Sequence, residues 1–251
     1  MKQCCQCGMF YSDPSMNYCL DDGTLLSATD LPYHEAKTEQ VTYAGSHNAY
    51  RVVERIITKN VGAHAWTLKY PQLEDLPNPY IRGRINYFLR TSFTVNLYAE
   101  EEILAGLIEE GEKFTPGENR ITYEVGIVAD ELLCIKQEDY FHDEENKPTS
   151  RFRAWNIELS SGYRTEYRDH FLLDSDYLVR IPELVQSSLS ERGLAEDHPE
   201  KEYELFLRTD ELEVINLYCR GNQFAKVLIP YVEIKSLIHP QSLLGKYLTI
   251  T

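Results

Sequence analysis

Four of the six cysteines, Cys4, Cys5, Cys7 and Cys19, stand within the first 19 residues. Thiolates this close together clamp a metal, pair as disulfides or exchange electrons. Cys4 and Cys7 are two residues apart, and Gly8 after them permits the tight turn that aims both thiolates at one ion. Cys19 stands in the same spacing to Asp22, with Gly23 following. Cys4, Cys7, Cys19 and Asp22 therefore make a tetrahedral donor set for a structural zinc ion, whose binding would fold a segment too short to own a core. Cys5 is the alternative fourth ligand. A metal-free knuckle and a redox-active thiol cluster are the competing readings. Catalytic zinc is disfavoured, because the segment supplies no histidine and no acid–base partner.

The pattern resembles a family of bacterial zinc ribbons that read Cys-x-x-Cys-Gly, an aromatic residue, then Cys-x-x-Asp-Gly. Here Cys4, Cys7, Gly8, Tyr11, Cys19, Asp22 and Gly23 carry it. Ribbons of this kind dock onto protein or nucleic acid, and the acidity of this chain favours protein.

Catalytic signatures are missing from the rest of the sequence. There is no Gly-x-Ser-x-Gly, P-loop, Gly-x-Gly-x-x-Gly or His-Glu-x-x-His. The seven histidines are scattered singly. Asp169-His170 pairs a carboxylate with an imidazole, but neighbours on a strand face opposite ways, so a hydrogen-bonded turn histidine is expected. Cys134 and Cys219 sit in apolar runs and read as core thiols. Arg151, Arg153, Arg164 and Arg168 are the local basic concentration, and alternation puts Arg151 and Arg153 on one face. Aromatic residues from Tyr123 to Tyr167 either pack the sheets or line a groove for carbohydrate or peptide. Arg151, Arg153, Trp155 and Tyr163 are accordingly the candidate binding residues. Catalysis is not expected.

The elements that must position these residues fit an ordinary globular chain, with 43% hydrophobic and 26% charged residues. The net charge of −15 repels phosphate backbones, which disfavours nucleic acid and favours a protein partner, a basic one in particular. The same charge also serves solubility. No secretory h-region opens the sequence and no apolar run reaches about 18 residues, so a cytoplasmic chain without membrane insertion is expected. The sequence leaves the oligomeric state open.

Residues 1–26 form the knuckle, and polar residues 27–49 read as a linker. From Tyr50 two β-like runs lead to Asn78-Pro79, a helix cap and first turn. Apolar residues at helical spacing follow, with a second stripe at Ile103, Leu104, Leu107 and Ile108. Strands are expected over 120–128, 131–140 and 151–159, and a helix with Tyr177, Ile181, Val185 and Leu189 on one face. A hairpin around Asp210-Glu211, a strand to Ile229 and a short final helix opened by Pro230 complete the chain. Residues 50–251 are thus expected to form one α+β domain, an antiparallel sheet with packed helices.

This order of elements resembles the extracellular domain of lysozyme-sensing anti-sigma factors, a domain also found with peptidoglycan deacetylases. The phrases that carry it are Tyr70-Pro71-Gln72-Leu73, Ile85-Asn86, Trp155 to Gly162, Asp169-His170-Phe171 and Val227 to Lys235. The resemblance implies a binding module without acid–base catalysis. Its ligand would be a protein or a cell-wall fragment, with the zinc ribbon as a docking element. The alternatives are a hydrolase or deacetylase-associated enzyme acting on cell-wall material, and a structural subunit of a larger assembly.

Overall fold

The computed structural model describes residues 2–3, 10–11, 27–28, 35–37, 50–61, 64–109, 117–142, 148–194, 204–219 and 223–250. The zinc site expected at Cys4, Cys7, Cys19 and Asp22 lies outside the described residues. Backbone pairing is described around it: β1 (Lys2–Gln3) runs antiparallel to β2 (Phe10–Tyr11) and to β3 (Ser27–Ala28). The chain divides into two units, Met1–Tyr123 with Asp139–Ser150, and Glu124–Glu138 with Arg151–Thr251.

In the first unit, β4 (Glu35–Lys37), β5 (Arg51–Val61) and β6 (His64–Glu74) pair antiparallel in succession. Trp66, Leu68 and Tyr70 alternate into the core while Thr67 and Lys69 remain partly exposed, the period of a half-buried strand. Asn78 then caps α1 (Pro79–Glu109), its Oδ1 accepting from the Tyr80 and Ile81 amides at 3.0 and 3.3 Å. Ile85, Leu89 and Phe93, four residues apart, are fully buried. The helix continues to Glu109, so both apolar stretches belong to one element.

The chain returns as β7 (Gly117–Val128), which pairs parallel to β6 from His64↔Gly117 to Leu68↔Ile121. The sheet is therefore mixed, not purely antiparallel as the sequence predicted. A helical crossover lets a strand re-enter in the same direction, and no residue within β7 announces it. Asn86 ties α1 to the end of β6. Its Oδ1 accepts from Leu73 N at 2.7 Å, its Nδ2 donates to Leu73 O at 2.9 Å, and Gln72 Nε2 donates to Asn86 O.

The second unit takes the remainder of β7, the start of β8 (Leu132–His142) and most of β9 (Pro148–Glu158). It continues through β10 (Arg164–Thr165), a 3₁₀ turn at Tyr167–His170 and α2 (Tyr177–Glu191). Then come β11 (Glu204–Leu207), β12 (Glu211–Cys219), β13 (Gln223–Pro230), α3 (Tyr231–Ile234) and α4 (Leu243–Ile250). Strand order is β10-β9-β8-β7-β6-β5-β4 in the mixed sheet, with a separate sheet β11-β12-β13. The helices and mixed sheet make an α+β fold.

The core of this unit packs Tyr177, Ile181, Val185 and Leu189 of α2 with Leu212 and Val214 of β12 and Val227 and Ile229 of β13. Gly193 at φ 69° ends α2, and Leu194 N donates back to Leu189 O. The chain ends in a helix that the sequence did not predict. Gly245 inside α4 weakened the helical signal, yet glycine is required there, because a Cβ would overlap the His239 carbonyl oxygen. Among the described residues, no helix is long and apolar enough to cross a membrane.

Candidate functional site

The site is built on the edge of β9. Edge strands carry backbone groups without strand partners, and these must be satisfied or exposed. β10 is two residues long and covers only Asn156 and Ile157. Further back, side chains do the work of a strand. Asn216 accepts from Phe152 N at 3.0 Å through Oδ1 and donates to Phe152 O at 2.6 Å through Nδ2. Glu204 Oε1 accepts from Ala154 N at 2.6 Å, and Glu204 Oε2 accepts from Asn216 Nδ2 at 2.9 Å. Asn216 reaches this position from a bulge in β12 between Val214 and Leu217, at φ 58°. Asparagine tolerates the left-handed region better than most side chains, and its amide offers a donor and an acceptor on two separate atoms, as a backbone partner does.

Beside this bridge lies a recess of about 330 Å³, lined by Ala154 and Asn156 of β9, Arg164 and Thr165 of β10, Glu166 and Tyr167 at the 3₁₀ turn, and Glu204 and Leu205 of β11. Its size falls at the lower end of small-molecule sites, roughly 300–1,000 Å³. Asn156 is 4% exposed, and its Oδ1 is buried without a hydrogen-bond partner. A buried polar atom left in that condition is uncommon and calls for an explanation. Arg164 lays its guanidinium 4.9 Å above the Trp155 ring. Burial pushes the Glu204 carboxyl up, against the Ala154 amide, Arg164, Arg153 and Asn216, which all favour its charged form.

His170 lies behind Thr165, with Nε2 3.4 Å from the Thr165 hydroxyl. Burial lowers its pKa to about 4, and the charge of Asp169 opposes that shift only partly. The imidazole is therefore neutral near pH 7. Contrary to the expectation of a fully hydrogen-bonded turn histidine, His170 Nδ1 is buried without a partner. The Asp169 carboxylate is engaged elsewhere, accepting from Glu166 N at 2.9 Å at the start of the 3₁₀ turn. A hydroxyl and an imidazole thus meet without the third group that would orient the base.

A second polar cluster holds the unit together. Lys136 Nζ lies 2.8 Å from Glu213 Oε1 and 2.7 Å from Glu124 Oε2, and Arg208 Nη1 lies 3.1 Å from Glu213 Oε2. Arg208 also pairs with Glu124. Lys136 and Glu213 are 5% and 1% exposed, so each depends on the other for compensation. Gly126 of β7 stands beside them, with no room for a Cβ against the Leu207 carbonyl and the Phe206 ring.

The candidates read from the sequence are placed unevenly. Trp155 is buried and lends its face to Arg164. Arg153 is half-buried and acts on Glu204 through its charge. Arg151 is exposed, and Tyr163, 63% exposed, belongs to the turn after Glu158, whose amide donates to Tyr163 O. None of the four lines the recess. Of the aromatic residues that the sequence leaves to pack the sheets or line a groove, Tyr140, Phe152 and Trp155 carry the cations Arg120, Lys136 and Arg164, and Tyr167 lines the recess. Asn156, Thr165 and Glu204 escaped the sequence reading as site residues. The one local signal was a carboxylate directly before the apolar run Leu205-Phe206-Leu207. Among the described residues no group of histidines, cysteines and carboxylates could hold a metal ion. Burial pushes the Cys134 thiol far up, which keeps it an unreactive core group.

No protein-family model and no curated protein matches the sequence. The fold is similar to that of two crystal structures. One is a member of the DUF3298 family from Bacteroides fragilis, 11% identical with a TM-score of 0.56, covering 84% of this chain and 100% of its own. The other is a DUF3298 family protein from Pseudomonas aeruginosa, 10% identical with a TM-score of 0.52, covering 76% and 94%. At such identities the likeness is one of fold alone.

Proposed function

We propose that this protein is a non-catalytic binding module for a protein or cell-wall-derived ligand, with the recess between β10 and β11 as its ligand site. The observation that carries the reading is the buried, unpartnered Asn156 Oδ1 beside a ligand-sized recess whose lining also includes Arg164, Thr165, Glu166, Tyr167 and Glu204. Binding is favoured over hydrolysis because the Thr165–His170 contact is long and lacks an orienting carboxylate, while both oxygens of Glu204 already accept hydrogen bonds. The resemblance to the anti-sigma-factor domain also implies binding without chemistry. The partner is a protein, basic if the −15 charge steers it, and the compartment is the cytoplasm.

Cys4, Cys7, Cys19 and Asp22 would hold a structural zinc ion. Three thiolates and a carboxylate fit that ion by donor chemistry, and zinc would supply folding energy to the knuckle, a docking element in this reading.

The test is a panel of short peptides and cell-wall oligosaccharide fragments, followed by amide NMR of the full chain and by product analysis. Shifts centred on Asn156, Thr165 and Glu204 with every ligand recovered intact are expected. Time-dependent cleavage that disappears in Glu204→Gln would overturn the binding reading and favour the cell-wall hydrolase.

A further inference from the structure

Independently of the recess, we infer that the outer face of α1, from Tyr80 to Val95, is an interface at which a second copy of this chain docks. One side of α1 is spent on the fold. Ile85, Leu89 and Phe93 are fully buried, the helix packs on β6, and the Phe93 ring lies 6.5 Å from that of Tyr70. On the opposite side Tyr80, Arg84, Tyr87, Thr91 and Val95 recur at intervals of three or four residues, which puts them on one stripe, with Phe88 beside Tyr87. Their exposure agrees: Tyr80 is 62% and Val95 47% exposed, Arg84 and Thr91 are exposed, and Tyr87 and Phe88 are half-buried.

From Leu76 to Ala99 the sequence holds three arginines, Arg82, Arg84 and Arg90, and no lysine, aspartate or glutamate, although the chain's acidic residues number 40. Aromatic residues and arginine, with lysine and carboxylates missing, are the composition of the centre of a protein–protein interface. Charge then selects the occupant. Copies carrying −15 each repel one another, and they approach with least repulsion where both present a face free of carboxylates. A basic protein would be repelled by the arginines, and an anionic membrane or nucleic acid by the field of the whole chain.

The stripe is also complementary to itself. About a two-fold axis between Tyr87 and Phe88, an antiparallel copy brings its Val95 to Tyr80, its Thr91 to Arg84 and its Phe88 to Tyr87. Apolar ends meet apolar ends. Each Arg84 guanidinium then lies beside a hydroxyl and the central aromatic rings, and about 10 Å along the helix from its symmetry mate. A parallel copy would set Arg84 against Arg84. Asp75, just before the helix, is already paired with Arg51 at 2.7 Å. The face is about 22 Å long. An interface that small gives a dissociation constant on the order of 10–100 μM.

The test is sedimentation equilibrium of the full-length protein from about 5 to 500 μM, at low and at raised sodium chloride. A monomer–dimer equilibrium is expected, and salt should tighten it, because screening relieves repulsion between the copies. Val95→Glu, at an exposed helix position, should keep its circular dichroism spectrum and weaken the dimer at least about tenfold. Leu173→Glu adds the same charge at a residue 94% exposed in the other unit, and should leave the dimer intact. A monomer at every concentration would overturn the inference. So would a dimer that Val95→Glu leaves unchanged, or one that Leu173→Glu dissociates equally. A dimer weakened by salt would place carboxylates against the arginines and also overturn docking of this face on itself.

Discussion

Asn216 and Phe152 are joined as two strand residues would be, although one partner is a side chain. The Asn216 amide gives Phe152 O a donor at 2.6 Å and Phe152 N an acceptor at 3.0 Å, across 64 residues of sequence. In the first unit Asn86 treats Leu73 in the same way. Each asparagine satisfies a backbone edge where no strand does so.

Replacing Asn216 should therefore act in a graded manner. Asn216→Gly keeps the φ of 58° accessible and removes only the amide, at an expected cost of about 1–3 kcal/mol. Asn216→Ala adds backbone strain of roughly 1–2 kcal/mol. Asn216→Asp retains an acceptor but brings a carboxylate against Glu204, and should be the least stable of the three. Urea unfolding orders them; equal stability of Asn216→Ala and wild type would refute the bridge.

The Lys136–Glu213 pair predicts an asymmetry between single and double replacement. Lys136→Met leaves Glu213 buried, with Arg208 and the more distant Lys226 as its remaining cations, and should cost about 3–5 kcal/mol. Lys136→Met combined with Glu213→Leu should recover much of that loss, because apolar partners carry no desolvation penalty. A double-mutant cycle by guanidinium denaturation measures the coupling, and simple additivity would count against mutual compensation.

His170 predicts a pH dependence whose sign follows from its lowered pKa. Its folded value of about 4 lies below the unfolded value near 6.5, so the unfolded chain binds the proton first. Stability contributed by the neutral imidazole is whole above about pH 6.5 and falls as pH drops toward 4, by on the order of 3 kcal/mol. Glu204, with its raised pKa, acts in the opposite sense, since its penalty grows as pH rises. Unfolding free energies at stepped pH should show a shallower slope between 6.5 and 4 in His170→Gln; an unchanged slope would exclude His170 as the source.

At the N-terminus, metal analysis of the purified full-length chain should give about one zinc per molecule, reduced by Cys7→Ser and by Asp22→Ala. A stoichiometry near zero in zinc-supplemented protein would leave the knuckle without its ion. Zinc retained in Asp22→Ala and lost in Cys5→Ser would assign the fourth position to Cys5.

Read by itself, the sequence determined the elements and many of their ends. The Asn78-Pro79 cap, the apolar spacing of α2, the stop at Gly193 and the hairpin at Asp210-Glu211 depend on neighbours a few residues away, where propensity and periodicity act. Gln72-Leu73 and Asn86 meet in space through the Asn86 side-chain amide and backbone carbonyl, a contact that periodicity could not supply. Tertiary structure alone decided that β7 runs parallel to β6, that Lys136 finds Glu213 across 77 residues, and that Arg164 is the arginine that lies over Trp155. Arg151, Arg153 and Arg164 carry the same charge on the same kind of strand. What separates Arg164 is that β10 folds back antiparallel on β9, opposite Ile157, and so brings it over the Trp155 ring, a pairing that local propensity does not specify.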